Sequence, residues 1–435
     1  MMIGTGYVGL VSGACLAEFG NKVVCYDIDK AKIEGLEQGK IPFHEPGLKE
    51  MVLRNRNEGR LEFSTNLKTS LDASTVVFIA VGTPEQDDGT ADLSAVFAVA
   101  KDIGKNMNGF KVIVQKSTVP VGTTRKLSKV LREEIGKSGE FELVSNPEFL
   151  REGSAIDDFL HPNRVVFGFS GPRAADVMED IYHPLYSSGT PILSTSLESA
   201  EMVKYASNAF LATKVSFINE VAELCEQVGA DVQVVARGMG MDTRIGAKFL
   251  HAGTGFGGSC FPKDTIALVK MGDSFGVDMS LVRSTIGANE RQSQRAVDKL
   301  RTLCGGKIKG LRIAVLGLSF KPNTDDVREA SSLKIIQQLW DEGAEVVAYD
   351  PVAGPNAKRA MPELELAADT KTCVAGADGL ILATEWSEFR LLEMKDVVSK
   401  MKAPRVVDCR NIYRPEQMKE QGIQYESFGR KAVEE

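Results

Sequence analysis

The sequence predicts an α/β protein: two Rossmann-like domains with parallel sheets, joined by a helical middle that contains one long central helix. Three observations carry this. Short β-branched runs alternate with helix-length amphipathic segments in the first third of the chain and again in the last. Between them, residues 198–228 hold neither proline nor glycine. A G-x-G-x-x-G turn opens the first α/β stretch.

The 435 residues suffice for two or three domains. With 43% hydrophobic and 26% charged residues, disordered and membrane classes are disfavoured. A net charge of −7 argues against a general nucleic-acid binder but leaves room for a local basic pocket. The seven cysteines are odd in number, widely spaced and without a CxxC pair. Neither a disulfide framework nor structural zinc is expected, and a reduced, cytoplasmic compartment fits. The four histidines show no metal-type spacing, so no metal is expected. Met1, Met2 and Ile3 do not resemble a leader of basic then apolar residues. The longest clean apolar run, 76–81, is far short of the roughly 20 residues of a membrane helix.

Along the chain, strands are expected at 23–27, 76–81, 111–115 and 141–144, within a first domain covering 1–196. Only three residues precede Gly4. The first strand is therefore expected to be unusually short or to begin upstream, a buried strand normally having about five residues. A helical domain, 197–303, follows. Its first helix repeats apolar residues at Met202, Tyr205, Ala206, Ala209, Phe210, Ala212, Phe217, Val221 and Leu224, ends before Gly229, and spans roughly 45 Å. Such a helix suits a spine between domains or a dimer surface. The segment 304–307 looks like a hinge. A third domain, 304–435, returns to strands at 312–316, 345–349, 379–383 and 404–408.

The turn Gly4-Thr5-Gly6-Tyr7-Val8-Gly9 precedes a helical stretch and a strand ending in Asp27, 18 residues after Gly9. That is the arrangement of a dinucleotide site: glycines for the tight turn, for pyrophosphate approach and for helix packing, with an acid on the adenosine ribose. Asp27 favours NAD over NADP, and nearby Lys32 weakens that preference slightly.

Several segments could carry chemistry. Thr83 and Thr118 follow strands, where ligand crevices form in open α/β sheets, although turn chemistry explains Thr-Pro and Val-Pro equally well. Pro147 suits a helix start, which would place Glu148 and Glu152 on one face; a solvated helix start is the plainer reading. Lys204 and Asn208 lie one turn apart on the long helix and could hold a developing oxyanion, against a snorkelling surface lysine. The sharpest segment, 253–264, brings four glycines, Cys260, Lys263 and Asp264 together and suggests an activated nucleophile rather than an inert buried thiol. In the third domain Gly317 is not followed by the second and third glycines. A mononucleotide is expected there, with Lys321, Arg328 and Arg410 as candidate cations.

Taken together, GTGYVGL at Gly4, NPEFLREGSA at Asn146, GFGGSCFPKD at Gly255, FKPNTDDVRE at Phe320 and DCRN at Asp408 resemble the UDP-glucose/GDP-mannose dehydrogenase family, and within it the UDP-glucose branch. Phe261 after the cysteine departs from the GDP-mannose pattern, and Ser259 before it from the UDP-N-acetylhexosamine pattern. The resemblance implies NAD in the first domain, UDP of a nucleotide-sugar in the third, and a homodimer or higher oligomer built on the long helix. It implies a four-electron oxidation of UDP-glucose to UDP-glucuronate, a common precursor of surface polysaccharides. Cys260 would attack an aldehyde intermediate, Lys204 and Asn208 would hold its oxygen, Asp264 and a water on Thr118 would relay protons, and Glu148 would activate the hydrolytic water. It further places Gly4, Gly6, Tyr7, Val8, Gly9, Asp27, Lys32, Thr83, Thr118, Glu152, Lys263 and Arg328 on the cofactor side. Glu148, Phe149, Leu150, Arg151, Glu152, Lys204, Asn208, Phe249, Leu250, His251, Ala252, Gly253, Gly257, Lys321 and Arg410 would line the substrate, and Arg244 would reach the substrate of the neighbouring subunit.

Three rivals remain at this stage. Another nucleotide-hexose could be the substrate. A one-step hydroxyacid dehydrogenase could use a lysine and an asparagine, but needs no cysteine. A nucleotide-sugar sensor has no use for a thiol in this loop.

Overall fold

The computed structural model describes residues 1–135 and 139–431. The chain divides into two compact units, Met1–Ser207 and Asn208–Glu435.

The first unit is built on eight strands: β1 (Met2–Ile3), β2 (Val23–Tyr26), β3 (Leu61–Ser64), β4 (Val76–Ile79), β5 (Phe110–Gln115), β6 (Glu140–Ser145), β7 (Val165–Phe169) and β8 (Ile192–Thr195). They lie side by side in the order β3-β2-β1-β4-β5-β6-β7-β8. The chain runs outward from β1 to β3 and then returns to β4 on the other side. The switch point, where open α/β sheets take ligands, is thus at the carboxyl ends of β1 and β4. Alternate residues of β5 feed opposite faces. Val112 and Val114 join the core under the helix Tyr7–Glu18, while Ile113 joins the core of the helix Thr123–Ile135. That two-sided burial is why residues 112–114 are an unbroken apolar run.

Two differences from expectation stand out. The expected wholly parallel sheet has one antiparallel pairing, β6 with β7. Residues 146–164 carry only the six-residue helix Ala155–Leu160 and otherwise stay at the carboxyl end of β6, so the chain re-enters the sheet from that end. β3, β7 and β8 were not expected, and β3, Leu-Glu-Phe-Ser, carries too weak an alternation to be legible in sequence. The first strand is two residues long, with Met2 and Ile3 paired to both β2 and β4. The buried Met1 ammonium donates to Val76 O at 2.8 Å, and burial pulls its pKa down to about 6.

The second unit holds six parallel strands: β9 (Arg312–Leu316), β10 (Glu345–Tyr349), β11 (Glu365–Leu366), β12 (Gly379–Leu382), β13 (Arg405–Asp408) and β14 (Gln424–Ser427). Their order, β11-β10-β9-β12-β13-β14, repeats the switch of the first sheet. Ile313 and Val315 enter one core and Ala314 and Leu316 the other. β11 and β14 were not legible beforehand.

The long helix is continuous over Leu197–Val228, 32 residues, and the division between the units falls within it. Tyr205, Ala209 and Ala212 are buried, whereas Phe210, Phe217 and Leu224 are exposed. Helices Val232–Gly240, Phe261–Ser274, Ser280–Glu290 and Gln292–Leu303 follow. Among the described residues no helix is long and apolar enough to cross a membrane.

Candidate active site

The three glycines of the first turn are required for three different reasons. Gly4 has φ +98°, a region L side chains rarely adopt, and a Cβ there would sit 2.7 Å from Ala80 O. A Cβ on Gly9 would meet Gly4 O at 1.9 Å, so helix and strand could not close. Gly6 precedes the helix Tyr7–Glu18, and a Cβ added to it would find nothing within 4 Å. Protein packing therefore explains the first and third glycines. The second is explained by a ligand that must approach a helix N-terminus, and this fits a dinucleotide pyrophosphate.

Asp27 follows β2. Its Oδ2 accepts from Thr5 N at 2.9 Å, Thr5 Oγ1 at 2.7 Å and Lys32 Nζ at 3.1 Å, and its Oδ1 accepts from Asp29 N at 3.1 Å. Burial would raise this carboxyl, but the bonds from Thr5, Asp29 and Lys32 outweigh it and hold the group below the usual carboxylate range. Asp27 thus braces the glycine turn from beneath. Val8 is half-buried on the first turn of the helix, and Tyr7 donates its hydroxyl to Glu45. Glu45 also accepts from Gly153 N at 2.6 Å and Ala155 N at 2.8 Å. Nothing in the sequence pattern pointed to Glu45, because its partners lie 38, 108 and 110 residues away. Thr83 donates to Thr118 O at 2.9 Å, tying the loops after β4 and β5 together.

The segment after β6 corrects an expectation. Residues 146–152 are not helical, so Glu148 and Glu152 do not share a helix face. Instead the chain turns so that Glu148 is buried. Its Oε1 accepts from Lys204 Nζ at 2.9 Å and its Oε2 from Leu150 N at 2.6 Å. Lys204, expected to snorkel if structural, is 4% exposed at the side chain and also lies over the Phe149 ring. Burial would raise Glu148, but Lys204, the Leu150 amide and the Lys116 charge together keep it below the usual carboxylate range. Arg164 stacks 3.6 Å from the centre of the Phe149 ring. Arg151 is bound to Asp158 at 2.6 Å, Leu150 is half-buried, and Glu152 is half-buried next to Gly153.

The cysteine loop lies in the second unit. Cys260 is the residue immediately before the helix Phe261–Ser274, with Pro262 in its first turn. First-turn amides favour a negative charge at such a position. Cys15, Cys25, Cys225, Cys373 and Cys409 are buried, whereas Cys260 and Cys304 are half-exposed. One turn beyond Cys260, the 1% exposed Asp264 accepts from Asn208 Nδ2 at 2.6 Å and from Lys263 Nζ at 2.8 Å. Phe249, Phe256 and Phe261 form a ring cluster beside the thiol. The loop glycines approach protein rather than open space. A Cβ on Gly253 would meet Cys409 O at 2.5 Å, on Gly255 Asn289 Oδ1 at 2.3 Å, on Gly257 Glu329 O at 2.2 Å and on Gly258 the Phe320 ring at 2.7 Å. These glycines let the loop seat on residues that follow β9 and β13 and on the helix Ser280–Glu290.

Around that seat lie the other candidates. Phe249 has φ +66°, an uncommon conformation for a bulky residue. Leu250 and Ala252 are buried, His251 is exposed, and Gly253 N donates to Asn219 Oδ1 at 2.8 Å. Arg410 Nε donates to Ala383 O at 2.7 Å, and Lys321 sits 5.1 Å from the Phe320 ring centre. Arg328 is paired with Asp326 and Arg244 with Asp242, both on the surface. In the second sheet Asp350 stands where Asp27 stands in the first. It accepts from Leu318 N, Ser319 N and Oγ, Val352 N, Ala353 N and Trp386 Nε1. With both oxygens so occupied, it braces its turn and leaves no acceptor for a ribose. A separate cavity of about 390 Å³ is lined by Arg295, Lys299, Glu226 and Glu426, but these are internal ion pairs.

Comparison with known proteins agrees with this geometry. Residues 1–186 match the UDP-glucose/GDP-mannose dehydrogenase family, NAD binding domain; 198–291 match its central domain; and 314–415 match its UDP binding domain. The chain belongs to the UDP-glucose/GDP-mannose dehydrogenase family. Residues 1–186 are therefore its NAD-binding part and residues 314–415 the part that binds UDP. A UDP-glucose 6-dehydrogenase of Rhizobium meliloti is 51% identical, covering 99% of both chains. The UDP-glucose 6-dehydrogenase TuaD of Bacillus subtilis is 49% identical, covering 99% of this chain and 93% of its own. The solved structure of a UDP-glucose dehydrogenase from Pyrobaculum islandicum aligns with a TM-score of 0.89 at 39% identity, covering 94% of this chain and 93% of its own.

Proposed function

We propose that this member of the family is an NAD-dependent UDP-glucose 6-dehydrogenase, converting UDP-glucose to UDP-glucuronate in the cytoplasm. Full-length identity of 51% to a protein of that name supports the substrate. The observation that carries the chemistry is Cys260, a half-exposed thiol at a helix N-terminus, one turn before a buried carboxylate bonded to Asn208.

Taking a primary alcohol to a carboxylate removes two hydrides and adds the oxygen of one water. NAD, held by Gly4, Gly6, Gly9 and Asp27, supplies the hydride acceptor when bound. Lys204 and Asn208, one helical turn apart, hold the C6 oxygen as the alcohol gives up its proton. Asp264, with Thr118 and its water, carries that proton away. The Cys260 thiolate adds to the aldehyde carbon, giving a tetrahedral thiohemiacetal that can lose a second hydride and become a thioester. Glu148, held as a carboxylate, takes a proton from the water that cleaves the C–S bond and frees the thiol. Glu152, Lys263 and Arg328 are assigned to the cofactor side. Residues 149–151, 249–253, Gly257, Lys321 and Arg410 are assigned to the nucleotide-sugar. The assignment groups the chain as 1–196 for NAD, 197–303 for the thiol and assembly, and 304–435 for UDP.

We also propose a homodimer. Phe210, Phe217 and Leu224 recur every seven residues on the long helix and are 67%, 50% and 61% exposed, a stripe that a second copy would cover. Arg244 would then reach the partner's substrate. Sedimentation of the wild type against Phe217→Asp tests this, and a monomeric wild type overturns it.

The reaction is tested by counting NADH formed per UDP-glucose consumed, with limiting sugar. A ratio of about two is expected for a four-electron oxidation through a thioester, and a ratio of about one would remove the role of Cys260.

A further inference from the structure

Immediately after β5 stands a residue that none of these roles uses. Lys116 is 4% exposed, and its ammonium donates to Asn146 Oδ1 at 3.0 Å. The same oxygen accepts from Tyr182 OH at 2.9 Å. Asn146 is held on its other side as well, Nδ2 donating to Val166 O at 3.0 Å and the backbone N–H to Gln115 O at 2.9 Å. Two residues later comes Glu148. A small cavity of about 40 Å³ is lined by Lys116, Asn146, Glu148, Arg164 and Tyr182 among others. A buried lysine with a neutral amide as its hydrogen-bond partner is costly unless an anion is near. The anion acting on it here is Glu148.

We propose that Lys116 is a positioning residue for the Glu148 reaction step: it fixes the Asn146–Glu148 turn through Asn146 and supplies a second positive charge that keeps Glu148 ionised beside Lys204. This rests on the role of Glu148 proposed above. The charged and titratable groups around Glu148 are Lys204 from the long helix, Lys116 from the end of β5, Arg164 before β7, Tyr182 through Asn146, and the Arg151–Asp158 pair of its own segment. Lys116 and Lys204 act together in lowering Glu148. Burial has already brought Lys116 itself down to about 8. Its charge is therefore present at neutral pH and lost as pH rises through that value.

The experiment compares the full-length wild type with Lys116→Gln, which keeps a donor for Asn146 but not the charge, with Lys116→Arg, and with Glu148→Gln. The pH profile of kcat and the KM for NAD are read for each, with the melting temperature as a control for folding. For Lys116→Gln the acid limb of the profile is expected to move up by about one pH unit. A fall in kcat of about tenfold, with KM for NAD unchanged, should accompany it. Lys116→Arg should restore the position of the limb. A Lys116→Gln enzyme whose acid limb stays at the wild-type pH overturns the proposal, whatever its kcat. Should Lys116→Gln fail to fold, Lys116→Arg decides: a folded arginine variant whose limb leaves the wild-type position is equally fatal. A Glu148→Gln enzyme that retains the wild-type acid limb would instead overturn the role of Glu148.

Discussion

Lys204 and Glu148 meet at 2.9 Å with their side chains 4% and 6% exposed, an ion pair linking the start of the long helix to the segment after β6. Taking one partner away leaves the other charged and buried, which costs about 3–5 kcal/mol. Lys204→Ala is therefore expected to lower the denaturant midpoint substantially as well as abolish turnover. Lys204→Met combined with Glu148→Gln should recover much of the stability but none of the activity. Denaturant titration of the two variants checks this; equal destabilisation of both would mean the pair is not what holds the segment.

The glycine turn allows a sharper separation. Gly6→Ala adds a methyl where no protein atom lies within 4 Å. It should melt at the wild-type temperature yet bind NAD at least about tenfold more weakly, because the methyl stands where the pyrophosphate must approach. Gly9→Ala drives a methyl against Gly4 O and should lose about 1–3 kcal/mol of stability, as overpacking does. Calorimetric NAD titration with parallel melting curves reads both.

Asp27→Ala removes an acceptor for Thr5, Asp29 and Lys32 and, in the proposed site, for the cofactor ribose. Hydrogen bonds to a charged group are worth about 1.5–3 kcal/mol. NAD affinity should therefore fall by at least about tenfold, discrimination against NADP should relax, and UDP binding should be unchanged. Unchanged NAD affinity would place the ribose elsewhere.

Cys260→Ala leaves Asn208, Lys263 and Asp264 in place and removes only the thiol. UDP-glucuronate should no longer form, while UDP-glucose still binds. Product analysis by mass spectrometry decides it, and continued acid formation would exclude a thioester route.

Stability should fall at alkaline pH. Burial pushes Cys25 and Cys373 up from 9.0 to about 12, and raises Cys15 and Cys409 as well. Such a group binds its proton more tightly folded than unfolded. Its contribution is whole below pH 9 and disappears as pH rises through its folded value. The melting temperature should decline above about pH 9, and Cys373→Ala should flatten the slope.

What the sequence determined by itself is local in spacing. The uninterrupted run of residues 198–228 read correctly as one helix, and the interval from Gly9 to Asp27 as one helix followed by one strand, because a single element or one βα unit sets each geometry. Lys204 and Asn208 were recognisable as a pair for the same reason. Their partners were not: Glu148 and Asp264 each lie 56 residues away along the chain. The segment at Asn146 was misread as a helix start because proline at the first helical position and proline in an extended turn look alike in sequence. Lys116 offered only one cue, a lysine directly after a strand whose residues 111–115 are buried. Tertiary structure alone decided which charges meet, which glycines face protein and which face open space, and that β7 runs antiparallel to β6. These depend on which side chains the sheets and the long helix bury together. Burial then makes a buried charge tolerable only opposite its counter-ion, a condition that no periodicity along the chain expresses.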